Sequence, residues 1–139
     1  MSDTVYRRIF LLGALWNLAG GAFILFAGSW IFALDGLTVP DPGAYYYSWI
    51  ALFMTFGIGY YLASRDPHAN RSVALLGAIG KLAFAAVFLA YLVGSPGRVP
   101  RFFFIPVAGD IVFAALYGRF LLDVRERPGY AGRAGKGAR

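Results

Sequence analysis

Four long runs of apolar residues occupy most of this 139-residue chain, and each is about 20 residues or more in length. A helix of that length spans a hydrocarbon core about 30 Å thick. The runs carry neither the alternation of a half-buried strand nor the single apolar stripe of a soluble helix, so the chain reads as all-α, an integral membrane four-helix bundle. The spacing predicts helices over about Ile9 to Ala33, Tyr45 to Ala63, Ser72 to Val93 and Arg101 to Leu122. Between them stand strong breakers. Asp35, Gly36, Pro40, Asp41, Pro42 and Gly43 form the first loop, a hairpin turns at Asp66 and Pro67 with Asn70 as N-cap, and Gly94 to Pro100 form the third. Residues 1–122 therefore make one four-helix domain. The tail 123–139 is basic, rich in Gly and Arg and without apolar bulk, and it is expected to be disordered.

Composition agrees and excludes much else. The chain is 59% hydrophobic and 14% charged, whereas a soluble domain carries roughly a quarter charged residues. It has no cysteine, which removes disulfides, thiolate metal sites and paired-thiol redox chemistry. Its single histidine, His68, lies in a polar connection and cannot supply two axial haem ligands. No nucleophile and base pair, metal cluster or phosphate loop appears, so neither catalytic residues, metal nor cofactor are expected and an enzyme is the least favoured reading.

The net charge of +6 does not point to nucleic acid, because the basic residues sit at the ends of the apolar runs and in the tail. Such residues orient membrane helices, since Lys and Arg resist translocation. Arg7 and Arg8, then Arg65 and Arg71, then Arg119, Arg125, Arg127, Arg133, Lys136 and Arg139 fall on one side, with only Arg98 and Arg101 dissenting on the other. Both termini are thus expected in the cytoplasm, with the chain in a bacterial inner membrane. The first run lacks a clear cleavage site and reads as a retained signal anchor. Trp30, Tyr45, Tyr46, Tyr47, Trp49 and Tyr91 would gather at the outer interface, and Tyr6, Tyr60, Tyr61 and Tyr117 at the inner one.

Within this apolar setting four residues stand out: Asn17, Thr55, Lys81 and Asp110, one per helix. Counted from the cytoplasmic end, Asn17 lies about 12 Å deep, Thr55 and Lys81 about 13 Å and Asp110 about 18 Å. A charge at such depth costs about 2.5 to 3.5 kcal/mol on the lenient insertion scale and calls for a partner. Small residues or proline flank each one at spacing four: Gly13 and Gly21, Ala51 and Gly59, Gly77 and Ala85, Pro106 and Ala114. Such spacing lets helix backbones approach in lipid. Pro106 should also kink helix 4 before Asp110 and open a cavity lined by Phe84, Phe103 and Phe104. Two readings stay open: a clasp that fixes helix packing, or the wall of a ligand pocket or proton path. The stretch Gly57-Ile58-Gly59-Tyr60-Tyr61 could bind a ring or headgroup, and like Gly109 it is more simply read as packing.

Trp16, Asn17, Gly20 and Gly21 in helix 1 resemble the DoxX-like family of small bacterial membrane proteins. That resemblance implies a small four-helix bundle, in some members an accessory subunit of quinone-linked oxidoreductases. The small multidrug exporters have similar size, but their acidic residue in helix 1 has no counterpart here, where helix 1 offers Asn17. The expectation is a pocket-forming or accessory subunit, set in the lipid bilayer beside a partner subunit or a second copy. The alternative is a small proton-coupled transporter acting as a homodimer, in which Asp110 exchanges protons.

Overall fold

The computed structural model describes residues 1–126. They are helical throughout except for turns and loops: α1 (Asp3–Ala33), α2 (Gly43–Arg65), α3 (Arg71–Gly94) and α4 (Phe104–Glu126), the last preceded by a 3₁₀ turn (Arg101–Phe103). The expected tail lies mostly outside the described residues. Its first four positions, 123–126, instead continue α4. Asp123 explains why, since it accepts hydrogen bonds from Tyr6 Oη at 2.5 Å and from the Met1 amino group at 2.9 Å and pairs with Arg119 at 3.0 Å. At the other end of the chain, Ser2 caps α1 by accepting from the Val5 N–H at 3.4 Å, so the helix begins six residues before Ile9.

α1 lies mainly against α2 and α3 mainly against α4, so the molecule is two helical hairpins laid side by side. Each helix turns one periodic face inward. On α1 that face is Tyr6, Phe10, Gly13, Asn17, Gly21, Ile24, Gly28 and Ile31; on α3 it is Ala74, Gly77, Ala78, Lys81, Ala85 and Leu92. On α4 it is Val107, Asp110, Ala114, Tyr117 and Val124, continued before the helix by Phe103 of the 3₁₀ turn. Steps of three and four keep such residues on one side of a helix. The buried glycines admit large neighbours, as at Gly77, where an added Cβ would stand 2.8 Å from Tyr60 Oη. The same logic accounts for Gly57, where a Cβ would meet Leu18 Cγ at 2.8 Å, and for Gly109, where it would collide with the Trp16 ring.

The exterior is strongly apolar. Phe26 is 85% exposed, and Leu12, Leu15, Trp30, Leu52, Ile58, Leu76, Ile79 and Val112 also face outward. α1, α3 and the segment Arg101–Arg125 are each long and apolar enough to cross a membrane. α2, at 23 residues, has the length but carries five tyrosines and a tryptophan, which lower its hydropathy. The tyrosines divide differently from expectation. Tyr45, Tyr47, Tyr91 and Tyr61 are exposed, whereas Tyr6, Tyr60 and Tyr117 are at most 1% exposed and belong to the core. Tyr46 is buried too, its hydroxyl donating to the Ile24 carbonyl at 2.9 Å. Tyrosine is buried when its hydroxyl finds an acceptor or its ring a tight stack, and depth counting does not reveal either.

At the end of the molecule bearing the first loop, Asp35 accounts for one of the two dissenting basic residues, Arg101. Its carboxylate accepts from the Arg101 backbone N–H at 2.7 Å and from Arg101 Nε at 3.0 Å, tying the α1–α2 loop to the start of α4. The backbone N–H first, then the guanidinium, holds the Asp35 carboxyl below its ordinary 3.8.

Candidate functional site

Two apolar clusters fill the interior, and a polar layer separates them. One cluster gathers Tyr6, Phe10, Tyr60, Tyr117 and Phe120; the other gathers Ile24, Ile31, Tyr46, Ile50, Leu92 and Phe103. Between them Lys81 is 3% exposed, Asp110 1% and Asn17 2%. Lys81 Nζ donates to Asp110 Oδ1 at 2.5 Å and to Asn17 Oδ1 at 3.0 Å. Asn17 in turn donates through Nδ2 to the Phe53 carbonyl of α2 at 2.9 Å. All four helices therefore meet at this point, α2 through its backbone.

Thr55 does not join them. It is exposed and donates to the carbonyl of Ala51, four residues earlier on its own helix, at 2.8 Å. The reason is angular. Each residue advances about 100° around a helix, so Thr55 stands about 200° from both Phe53 and Gly57, which face the centre. A threonine that bonds its own preceding turn also needs no interior partner. Its flanking Ala51 points outward with it, and Gly59 is only half-buried.

The Lys81–Asp110 pair forms the floor of a cavity of about 390 Å³ between α2 and α3. Its walls are Trp49, Phe53, Phe56 and Tyr60 from α2 and Phe84 and Phe88 from α3, with Leu52, Ala83 and Val87 at the rim. These rings hold the two helices apart and pack on one another: Trp49 lies parallel to Phe84 within 5°, centroids 6.0 Å apart, and Phe84 to Phe88 is 4.4 Å. The ammonium also faces the rings of Phe113 and Tyr60, 5.3 and 5.4 Å from their centroids, an attraction that deepens when water is excluded. The rim residues Leu52 and Val87 are 60% and 57% exposed, so the cavity opens sideways through the apolar exterior. Toward the α2–α3 connection it is closed by packed rings, with Tyr60 tilted against Tyr117 at 5.1 Å and Tyr117 stacked on Phe10 at 4.8 Å.

Of the residues expected to line this cavity, Phe84 does so. Phe103 lies beyond it, stacked on Phe88 at 4.7 Å and lining a neighbouring hollow of about 260 Å³ with Tyr46 and Arg98. Phe104 is 45% exposed and borders a groove beside Asp35 and Arg101, while Pro106 faces the groove between α1 and α4. The expected kink before Asp110 is replaced by a change of helix type. Pro106 is the third residue of α4, immediately after the 3₁₀ turn, where a missing N–H leaves few helical bonds to break. The aromatic walls from α2 went unrecognised in the sequence because Trp49 and Tyr60 look like interfacial residues; their spacing with Phe53 and Phe56 on one face was the available signal.

Two buried polar atoms have no hydrogen-bond partner among the described residues: Trp16 Nε1 and Tyr117 Oη. The Trp16 indole lies beside Asp110, outside hydrogen-bond geometry, and lines the groove between α1 and α4 rather than the cavity. His68 pairs with Asp3 at 3.3 Å and stands apart from the centre. No group of three or more metal-ligating side chains occurs among the described residues.

No family model, curated protein or solved structure matches the chain.

Proposed function

We propose that this chain is a multi-pass protein of the bacterial inner membrane, all four helices spanning and both termini cytoplasmic, that presents a lipid-facing binding pocket. The pocket belongs to a small receptor or accessory subunit of a membrane complex, the role that the DoxX-like resemblance also suggests. One observation carries this reading: a desolvated ion pair lines the floor of an aromatic cavity whose mouth opens through the apolar exterior. Interhelical polar contacts in membranes average about 0.6 kcal/mol, so two buried charges are a costly means of packing alone. Ionisable residues at such depth commonly mark a site of function.

The packed rings of Tyr60, Tyr117 and Phe10 support a pocket over a proton route, since they separate the centre from the nearer helix ends. The test is gentle purification in native lipid, followed by native mass spectrometry. A bound lipophilic molecule or a partner subunit is expected with the wild type, and its loss with the K81M/D110N double variant. A bare monomer from the wild type would overturn the reading. Orientation is checked separately in the cysteine-free background by single cysteines at Ser2 and Gly36: an impermeant maleimide applied to intact cells should label only Gly36→Cys.

A further inference from the structure

We infer that the pocket takes a neutral lipid alcohol, its hydroxyl seated between Lys81 and Asp110 and its apolar body along the aromatic walls. The inference rests on the pocket reading above and adds the chemistry of the ligand.

Charge balance comes first. The floor carries one cation and one anion, already paired. A carboxylate or phosphate would place a second negative charge beside Asp110 in a dry site, and an amine would do the same to Lys81; either arrangement is opposed by desolvation and like-charge repulsion. The head of the ligand is therefore neutral.

Hydrogen-bonding capacity then narrows the class. An ammonium has three N–H donors. Lys81 gives one to Asp110 Oδ1 and one to Asn17 Oδ1, and the third meets no side-chain oxygen among the described residues, where Tyr60 and Phe113 turn ring faces toward the ammonium. Asp110 accepts from Lys81 through Oδ1 and has the Trp16 indole as its other neighbouring donor; an ionised carboxylate offers about four lone-pair sites, so it keeps acceptor capacity beyond these two. Both side chains border the cavity. The floor thus offers one donor and one acceptor close together. A hydroxyl both accepts and donates; a ketone or ether accepts only and leaves the carboxylate's remaining capacity unused.

The walls limit the rest of the molecule. Beyond the floor the lining is aromatic and aliphatic, so a sugar or polyol would bury further hydroxyls against Phe53, Phe84 and Phe88 without partners. About 390 Å³ lies within the range of ordinary small-ligand sites. The exposed rim at Leu52 and Val87 admits a molecule that arrives through the bilayer.

The test uses the full-length wild-type protein in lipid nanodiscs, with hexadecanol bearing a mid-chain diazirine as photoprobe. Unlabelled hexadecanol, hexadecyl methyl ether and palmitate serve as competitors. Labelling is expected in residues 49–60 and 80–88. Hexadecanol should compete about tenfold better than the methyl ether, the worth of one hydrogen bond to a charged group, and better than palmitate by a wider margin. In the K81M/D110N variant, which keeps the shape of the site, the advantage over the ether should vanish. If label maps to the pocket but ether or palmitate competes as well as the alcohol, or the advantage survives in the double variant, the alcohol assignment is refuted and the pocket stands. Label spread evenly over outward-facing residues overturns the pocket itself.

Discussion

Replacing Lys81 with Met removes the ammonium that Asp110 and Asn17 share while keeping a side chain of similar length. What remains is a carboxylate 1% exposed, facing rings. Breaking a buried pair from one side costs about 3 to 5 kcal/mol, because the surviving charge is left uncompensated. Asp110→Asn should be milder, at about 2 kcal/mol, since the amide oxygen can still accept from Lys81 and the ammonium keeps Asn17 and two ring faces. With both changes no charge remains, and Met beside Asn is compatible with the aromatic surroundings. The double variant should therefore lie nearer to wild type than Lys81→Met alone, giving a coupling of at least about 2 kcal/mol, roughly thirtyfold in the folding equilibrium. An ordinary interhelical contact in lipid gives about 0.6 kcal/mol, so the two cases separate cleanly. The measurement is reversible unfolding in mixed micelles followed by tryptophan fluorescence, to which Trp16 and Trp49 both contribute from beside the centre. A coupling of about 0.6 kcal/mol or less would refute the claim that the pair is a desolvated ionic unit.

Three further outcomes are expected. Thr55→Val should change stability by less than about 0.5 kcal/mol and leave ligand binding untouched, because Thr55 bonds only its own helix; a larger loss would return Thr55 to the centre. Gly109→Ala should destabilise by about 1 to 3 kcal/mol by driving a methyl group into Trp16, whereas Gly118→Ala, with open space around it, should be neutral or stabilising by up to about 1 kcal/mol; equal effects in the same unfolding assay would contradict the packing. The Asp35 carboxyl is held below its ordinary 3.8 in the folded chain, so its tie to Arg101 is fully present above that value and weakens as pH falls through the lowered one. Thermal stability should accordingly be insensitive to Asp35→Asn only at pH well below 4, and a variant indistinguishable from wild type at pH 7 would show the tie to be without consequence.

Much of the site was legible because helices preserve one-dimensional information. Depth along a helix is a simple count of rise per residue, and that count alone puts Lys81, Asp110 and Asn17 near one level. The same count placed Thr55 there, and it failed because depth says nothing of direction around the axis. Small neighbours at spacing four did not rescue the choice: Ala51 follows Thr55 outward, while Gly57, Tyr60 and Ser64 mark the inward face of α2. Pro106 misled for a related reason, since the effect of a proline depends on where the helix begins, and a 3₁₀ turn moved that boundary to Phe104. Level alone does not place the tyrosines either, and four of them, Tyr6, Tyr46, Tyr60 and Tyr117, are core.

What the amino-acid sequence determined by itself was the helical architecture, the approximate extent of each helix and the presence of a charged pair in apolar surroundings, because composition and breakers act locally. Tertiary structure decided which hairpins form, which helix faces turn inward, and that Trp49, Phe53, Phe84 and Phe88 hold α2 and α3 apart to leave a cavity over the pair. Those outcomes depend on how bulky side chains from different helices interlock, a property of surfaces in contact that no single helix contains.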